Sequence, residues 1–141
     1  MSMFSGKRSQ GQAWHQDCAP EDPKQFNLNR LVYTHDINDV TGGQTVVVPG
    51  THQAGLLPAG QPDEDLDGQN VLSLKKGTLL LLHGHCWHRV LPINDCKRVS
   101  TNFRSAPQGT PDGITDICVY RNMRYRFSTS EVIEERFASD V

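Results

Sequence analysis

Apolar and β-branched residues fall in short runs along this chain, and the longest wholly apolar run is Leu79–Leu82. The runs Asn29–Thr34, Thr45–Val48, Val71–Leu74, Thr78–His83 and Val99–Arg104 have the length and composition of β-strands. Turn-forming residues separate them at Gly42-Gly43, Pro49-Gly50, Lys76-Gly77 and Pro92–Asp95. One segment, Ser130–Phe137, predicts a short C-terminal helix: a serine precedes Glu131, with Val132, Ile133 and Phe137 at roughly helical spacing. There are no internal repeats and no heptads. Short strands at regular intervals predict a mainly β fold of the sandwich or jelly-roll type. The stretch Leu56–Gly68, rich in Pro, Gly and Asp, lacks periodicity and reads as a long loop, a class that includes lids and binding loops.

With 141 residues the chain suits a single domain over 1–141 with a modest core. A net charge of -2 gives no reason to expect nucleic acid or an anionic membrane as partner. No apolar run is long enough for a membrane-spanning helix, and Met1–Gln12 is too polar for a secretory signal. Cys18, Cys86, Cys96 and Cys118 lack zinc-type pairing and are few for a disulfide scaffold. The expectation is an intracellular, cytoplasmic, reduced protein.

The chemistry is concentrated at His15-Gln16-Asp17. In an extended strand, residues i and i+2 share a face, so His15 and Asp17 can grip one ion together. A histidine from a neighbouring strand would complete a 2-His-1-carboxylate set with an open side, the geometry of non-haem Fe(II) oxygenases. Three of the six histidines crowd into His83-Gly84-His85-Cys86-Trp87-His88. A continuous strand would send His83 and His85 to one face and His88 to the other, unless Gly84 breaks the parity through a bulge. Spacing therefore leaves both His85 and His88 open as the third ligand. An isolated histidine is more commonly structural; the His-x-Asp pair plus a downstream histidine in an all-β chain favours metal. Arg98 opens a strand, with Ser100 on the same face, and the two form a carboxylate clamp: a bidentate guanidinium plus a hydroxyl. The ordinary alternative for an arginine is a surface ion pair.

Taken together, Trp14-His15-Gln16-Asp17, the segment Gly42–His52, and Lys76–His83 continuing to His88, Pro92, Asn94 and Arg98 resemble the phytanoyl-CoA dioxygenase family of Fe(II)- and 2-oxoglutarate-dependent oxygenases. The resemblance implies a double-stranded β-helix, a cupin-like jelly roll with iron inside one end. It places the distal iron ligand at His88, eleven residues after Gly77, and makes His83 a non-ligand. It makes Arg98 the 2-oxoglutarate anchor, aided by Ser100, and Pro49–His52 a structural turn. A carboxylate at Asp17 implies hydroxylation or related oxidation by dioxygen, not halogenation. Members carry helices and strands ahead of the His-x-Asp motif, whereas only Met1–Ala13 precedes it here. On this reading the N-terminal helical layer is missing, the chain is a short variant or C-terminal fragment, and a homodimer is one expected cover for the open sheet face.

Substrate choice is weakly encoded beyond a small organic molecule. Arg104, Arg121, Arg124 and Arg126 are candidates for binding an anionic substrate, although solvated charge is the commoner role of each. Tyr33 and the Leu56–Gly68 loop are candidates for lining the mouth. Trp14 and Trp87 flank the ligands and are read as core. Two other functions compete: a cupin-type manganese or zinc enzyme that does not use 2-oxoglutarate, and a catalytically silent binding module.

Overall fold

A computed structural model describes residues 10–94 and 100–137. The strands are β1 (Gln12–Gln16), β2 (Leu28–Tyr33), β3 (Thr45–Val47), β4 (Asn70–Leu72), β5 (Leu79–His83), β6 (His88–Val90), β7 (Ser100–Ser105), β8 (Ile117–Tyr120), β9 (Met123–Arg126) and β10 (Glu131–Glu135). The short helix α1 (Asp112–Thr115) precedes β8. The strands form two antiparallel sheets, ordered β10-β9-β8-β1-β6-β3-β4 and β5-β2-β7. This is the mainly β, jelly-roll architecture expected from the strand runs. The turns at Gly42-Gly43, Gly50 and Gly77 all have positive φ, a conformation that disfavours side chains bearing a Cβ.

Alternation along the strands of the large sheet sorts its two faces. His15, Thr45, His88, Val90, Cys118 and Tyr120 line a cavity between the sheets. Their neighbours Trp14, Gln16, Val46 and Val119 are fully buried on the other side. The core cluster of Trp14, Val46, Val48 and Leu57, with Leu66, Trp87 and Leu91 packed against it, lies on that outer side. Both tryptophans are therefore packing residues, as expected.

The Leu56–Gly68 segment supplies the cover of this core and does not line the cavity, contrary to its reading as a lid or binding loop. The loop backbone is held by side chains of the large sheet. The Trp14 indole donates to the Glu64 carbonyl at 2.7 Å. The Gln16 side-chain amide serves both ends of the contact: its Nε2 donates to the carbonyls of Gly55 and His85, and its Oε1 accepts from Leu57 N–H. The Arg121 guanidinium donates to the carbonyls of Pro58, Ala59 and Gln61 and pairs with Glu64 at 2.5 Å. Arg89 lies over the Trp14 ring at 5.2 Å and pairs with Asp65. A loop with no regular structure thereby has many of its polar groups satisfied by buried side chains.

Two local expectations are overturned. Residues Ser130–Phe137 do not form a C-terminal helix; Glu131–Glu135 is the edge strand β10. Ser130 adopts φ 56, closing a hairpin instead of capping a helix. Glu131 and Glu134 face Arg126 and Arg124 across the strand pair, while Val132 and Ile133 remain exposed. The apolar residues here had no surface against which a helical stripe could be buried. Nor is Gly84 a bulge within a strand. It opens a turn that carries the chain from β5 in the small sheet to β6 in the large one.

The outer face of the small sheet presents Leu79, Leu81 and Phe103, which are 54%, 57% and 48% exposed. Tyr33, on the inner side of β2, is buried, with its hydroxyl 2.6 Å from Thr45 Oγ1, so it does not line the mouth.

Gly84 sits where no side chain fits: a Cβ there would lie 2.2 Å from Asn27 Oδ1 and 2.7 Å from Cys18 Sγ. Its carbonyl accepts from Asp17 N–H at 2.8 Å. Gly84→Ala is expected to destabilise the fold by roughly 1–3 kcal/mol through overpacking. Gly113→Ala, with open space at its Cβ, should be close to neutral. Urea denaturation of the two variants checks this contrast.

Candidate metal centre

β1 pairs with β6 on one side and β8 on the other, placing His15 opposite both His88 and Tyr120. Asp17 follows β1 directly. Its backbone is tied by the Gly84 carbonyl and by Asn27, whose amide donates to the Asp17 carbonyl at 3.0 Å. His15, Asp17 and His88 are all buried, and one ligand atom from each lies within 4.8 Å of the others, a group that could hold a metal ion.

The orientation of the rings decides what this group can do. His15 Nδ1 is 2.7 Å from the Ala13 carbonyl, and His88 Nδ1 is 2.8 Å from the Cys86 carbonyl. A carbonyl only accepts, so each Nδ1 carries the proton and each Nε2 keeps a lone pair. Those Nε2 atoms lie 3.5 Å and 3.4 Å from the Asp17 oxygens. Two imidazole lone pairs and a carboxylate converging in a buried space repel one another unless a cation or proton lies between them. The donor set, two nitrogens and one carboxylate, suits iron.

The titration behaviour has the same origin. Burial, then the charge of His88, pushes His15 down to about 4. Burial alone would raise Asp17, but the charges of His88, His15 and Arg104 outweigh it and hold the carboxyl well below the usual range. Burial likewise acts to lower His88, yet the Asp17 carboxylate and the Cys86 carbonyl raise it above the ordinary histidine value.

Around the three lies a polar layer supplied by the small sheet. Asn29 Nδ2 donates to Asp17 Oδ2 at 2.6 Å, and Arg104 reaches Asp17 Oδ1 at 3.1 Å. Tyr120 stacks on His15 with ring centroids 5.3 Å apart, and burial raises its phenol to about 12, so it stays protonated. The cavity measures about 570 Å³, a size suited to a small-molecule site.

The remaining sequence candidates are distributed as follows. Ser100 is buried on the cavity wall; Arg98 lies outside the described residues. His85 is buried away from the group, with Nε2 3.1 Å from the Gln25 carbonyl. His83 stacks on Phe26 and accepts from His85 N–H through Nδ1. Of the four arginines considered for anion binding, only Arg104 lines the cavity. Arg121 is spent on the loop, while Arg124 pairs with Glu21 and Glu134, and Arg126 with Glu131. Asn29, Asn102 and Tyr120 were not singled out from sequence, and Arg104 only as a candidate for binding an anionic substrate. The signal for two of them was present: Ser100, Asn102 and Arg104 are polar at every second position of one strand.

The phytanoyl-CoA dioxygenase (PhyH) family profile matches residues 1–97. The chain belongs to this family. Among solved structures, it is similar to a non-heme monooxygenase, ThoJ in its apo form, with a TM-score of 0.57 and 17% identity over 97% of this chain. The chain spans 54% of the length of that neighbour, and at this identity the likeness concerns the fold. No curated protein matches the chain. In this PhyH family member, His15, Asp17 and His88 all fall within the residues that the family profile matches, and they form the group that could hold a metal ion. Among the described residues, no helix is long and apolar enough to cross a membrane.

Loss of the Asn29 bond to Asp17 is expected to weaken metal binding roughly 10–100-fold, the usual cost of removing a group that orients a ligand. Zn(II) titration of Asn29→Leu against the unaltered protein, read by the rise in Tm, checks this.

Proposed function

We propose that this protein is an Fe(II)- and 2-oxoglutarate-dependent dioxygenase that hydroxylates or otherwise oxidises a small organic molecule, releasing succinate and carbon dioxide. The observation that carries the proposal is the convergence of two Nε2 lone pairs and one carboxylate on a cavity with room beside them. His15, Asp17 and His88 would hold the iron, and Arg98 with Ser100 would hold the distal carboxylate of 2-oxoglutarate. Bound together, iron and 2-oxoglutarate supply the activation of dioxygen.

The chain's own part is geometric and electrostatic. The Ala13 and Cys86 carbonyls fix the two imidazole tautomers, so neither ring has to turn to present Nε2. Asn29 donates to one oxygen of Asp17 and Arg104 to the other, so both are restrained. Leu31, Leu82 and Val90 line the cavity with apolar surface and limit water around the reacting centre. Such restraint matters because small misplacements of a reacting centre cost rate steeply. Cys118, although on the cavity wall, is pushed up to about 12 by burial and stays a neutral thiol. It is therefore no nucleophile at neutral pH.

The test is Fe(II)-dependent conversion of 2-oxoglutarate to succinate without added substrate. Arg98→Ala should weaken 2-oxoglutarate binding roughly 10–100-fold, the equivalent of about 1.5–3 kcal/mol for a charge-assisted bond. Arg126→Ala, which alters only an exposed ion pair, should leave it unchanged. Activity indifferent to Arg98→Ala, or independent of 2-oxoglutarate, would favour the cupin-type alternative.

A further inference from the structure

Ser100, Asn102 and Arg104 of β7 line the cavity wall in turn. Arg104 lies four residues beyond Ser100, about 13 Å along the strand at about 3.3 Å per residue. The two therefore belong to opposite ends of the wall. Ser100 is in register with Tyr33, whose hydroxyl touches Thr45, whereas Arg104 is in register with Asn29 at the Asp17 end. At that separation the two do not grip one carboxylate. The Arg104 guanidinium has five N–H donors in a rigid, permanently charged fork. Its side edge is engaged: Nε donates to Asn29 Oδ1 at 3.0 Å and Nη2 to Asp17 Oδ1 at 3.1 Å. Those bonds go to two different residues, and neither uses Nη1. Arg104 also reaches the Cys118 thiol, a weak acceptor that an anionic oxygen would displace.

The end edge of the fork, Nη1 with the second N–H of Nη2, has the geometry that meets two oxygens of a carboxylate or phosphate. The Arg104 side chain is also accessible, with 36% of its surface exposed, whereas Asp17 beside it is buried. Among the described residues that line the cavity, Arg104 is the one arginine or lysine. Phe127, 60% exposed, lines the same cavity, and Leu31 adds apolar wall. A permanent cation, oriented by two bonds and open to solvent beside apolar surface, is a preorganised anion receptor. We propose that Arg104 is a specificity-determining residue of the cavity: its Nη1–Nη2 edge receives an anionic oxygen group, a carboxylate or phosphate, of the substrate. Leu31 and Phe127 then flank the apolar body of that molecule. The inference rests on the cavity being the substrate site of the proposed oxygenase, but its test involves neither iron nor turnover.

The probes are butyrate and butyramide, which match in shape and heavy atoms and differ in charge. Each is titrated into the full chain, free of metal and 2-oxoglutarate, while the backbone amide resonances of β7 and β8 are followed by NMR. The expected result is a saturable shift with butyrate at an apparent affinity roughly 3–30-fold tighter than that of butyramide, as one charge-assisted contact at a partly exposed cation allows. The preference should vanish in Arg104→Gln, persist in part in Arg104→Lys, and survive in Arg98→Ala. A merely structural role for Arg104 would weaken both probes alike and leave their ratio unchanged, which overturns the proposal. So does a preference lost in Arg98→Ala, because the anion would then sit at the cosubstrate anchor. Equal affinities in the unaltered protein, or no saturable response to either probe, overturns it even if Arg104→Gln fails to fold. Because the measurement contains neither iron nor 2-oxoglutarate, its failure leaves the oxygenase reading standing, and failure of the succinate assay leaves this result standing.

Discussion

The pairing of β1 with β6 that sets His15 opposite His88 is the constraint on which the site depends. A shift of one residue in that register would turn one imidazole to the packed side of the sheet and leave Asp17 with a single partner. The register is held from the packed side. Trp14, Gln16 and Arg89 alternate with the two histidines along the same strands, and each is engaged with the loop that covers the core. Chemistry and stability are thus carried by opposite faces of one sheet, with adjacent residues assigned to each.

This division explains why the covering loop is so heavily tied. A hydrophobic core in a jelly roll is usually sought between the sheets. Here part of that space is given to the cavity, and the well-packed cluster of Trp14, Val46, Val48 and Leu57 lies behind the large sheet. The loop is what closes it. The buried Arg121 satisfies three loop carbonyls and one carboxylate, so the charge does not remain unpaired in the interior. The small sheet contributes differently: β2 and β7 deliver Asn29, Asn102 and Arg104 to the Asp17 side of the cavity.

How far the sequence reaches depends on the range of the interaction involved. The strand runs and the Gly-containing turns are local properties, and they are found where the residues predicted them. His15 and Asp17 share a face by simple period-two geometry. The choice between His85 and His88 was beyond parity, because Gly84 turns the chain from one sheet into the other and resets the alternation. Val132, Ile133 and Phe137 have helical spacing, but pairing of Glu131 and Glu134 with arginines of β9 prevailed over a weak local preference. Tyr33 was misread because its contact with Thr45 joins the two sheets, and the Leu56–Gly68 loop because composition is silent on placement. Proline, glycine and aspartate content marks irregular backbone but carries no information on which face of a sheet that backbone will cover.

The central claim is that His15, Asp17 and His88 form a metal centre with positions left open for 2-oxoglutarate. Its most direct test is anaerobic addition of Fe(II) and 2-oxoglutarate to the metal-free protein, followed by visible absorption. The account predicts a charge-transfer band that is lost in His88→Ala and retained in His85→Ala. A folded protein that gives no band, or a band that survives His88→Ala, would contradict it.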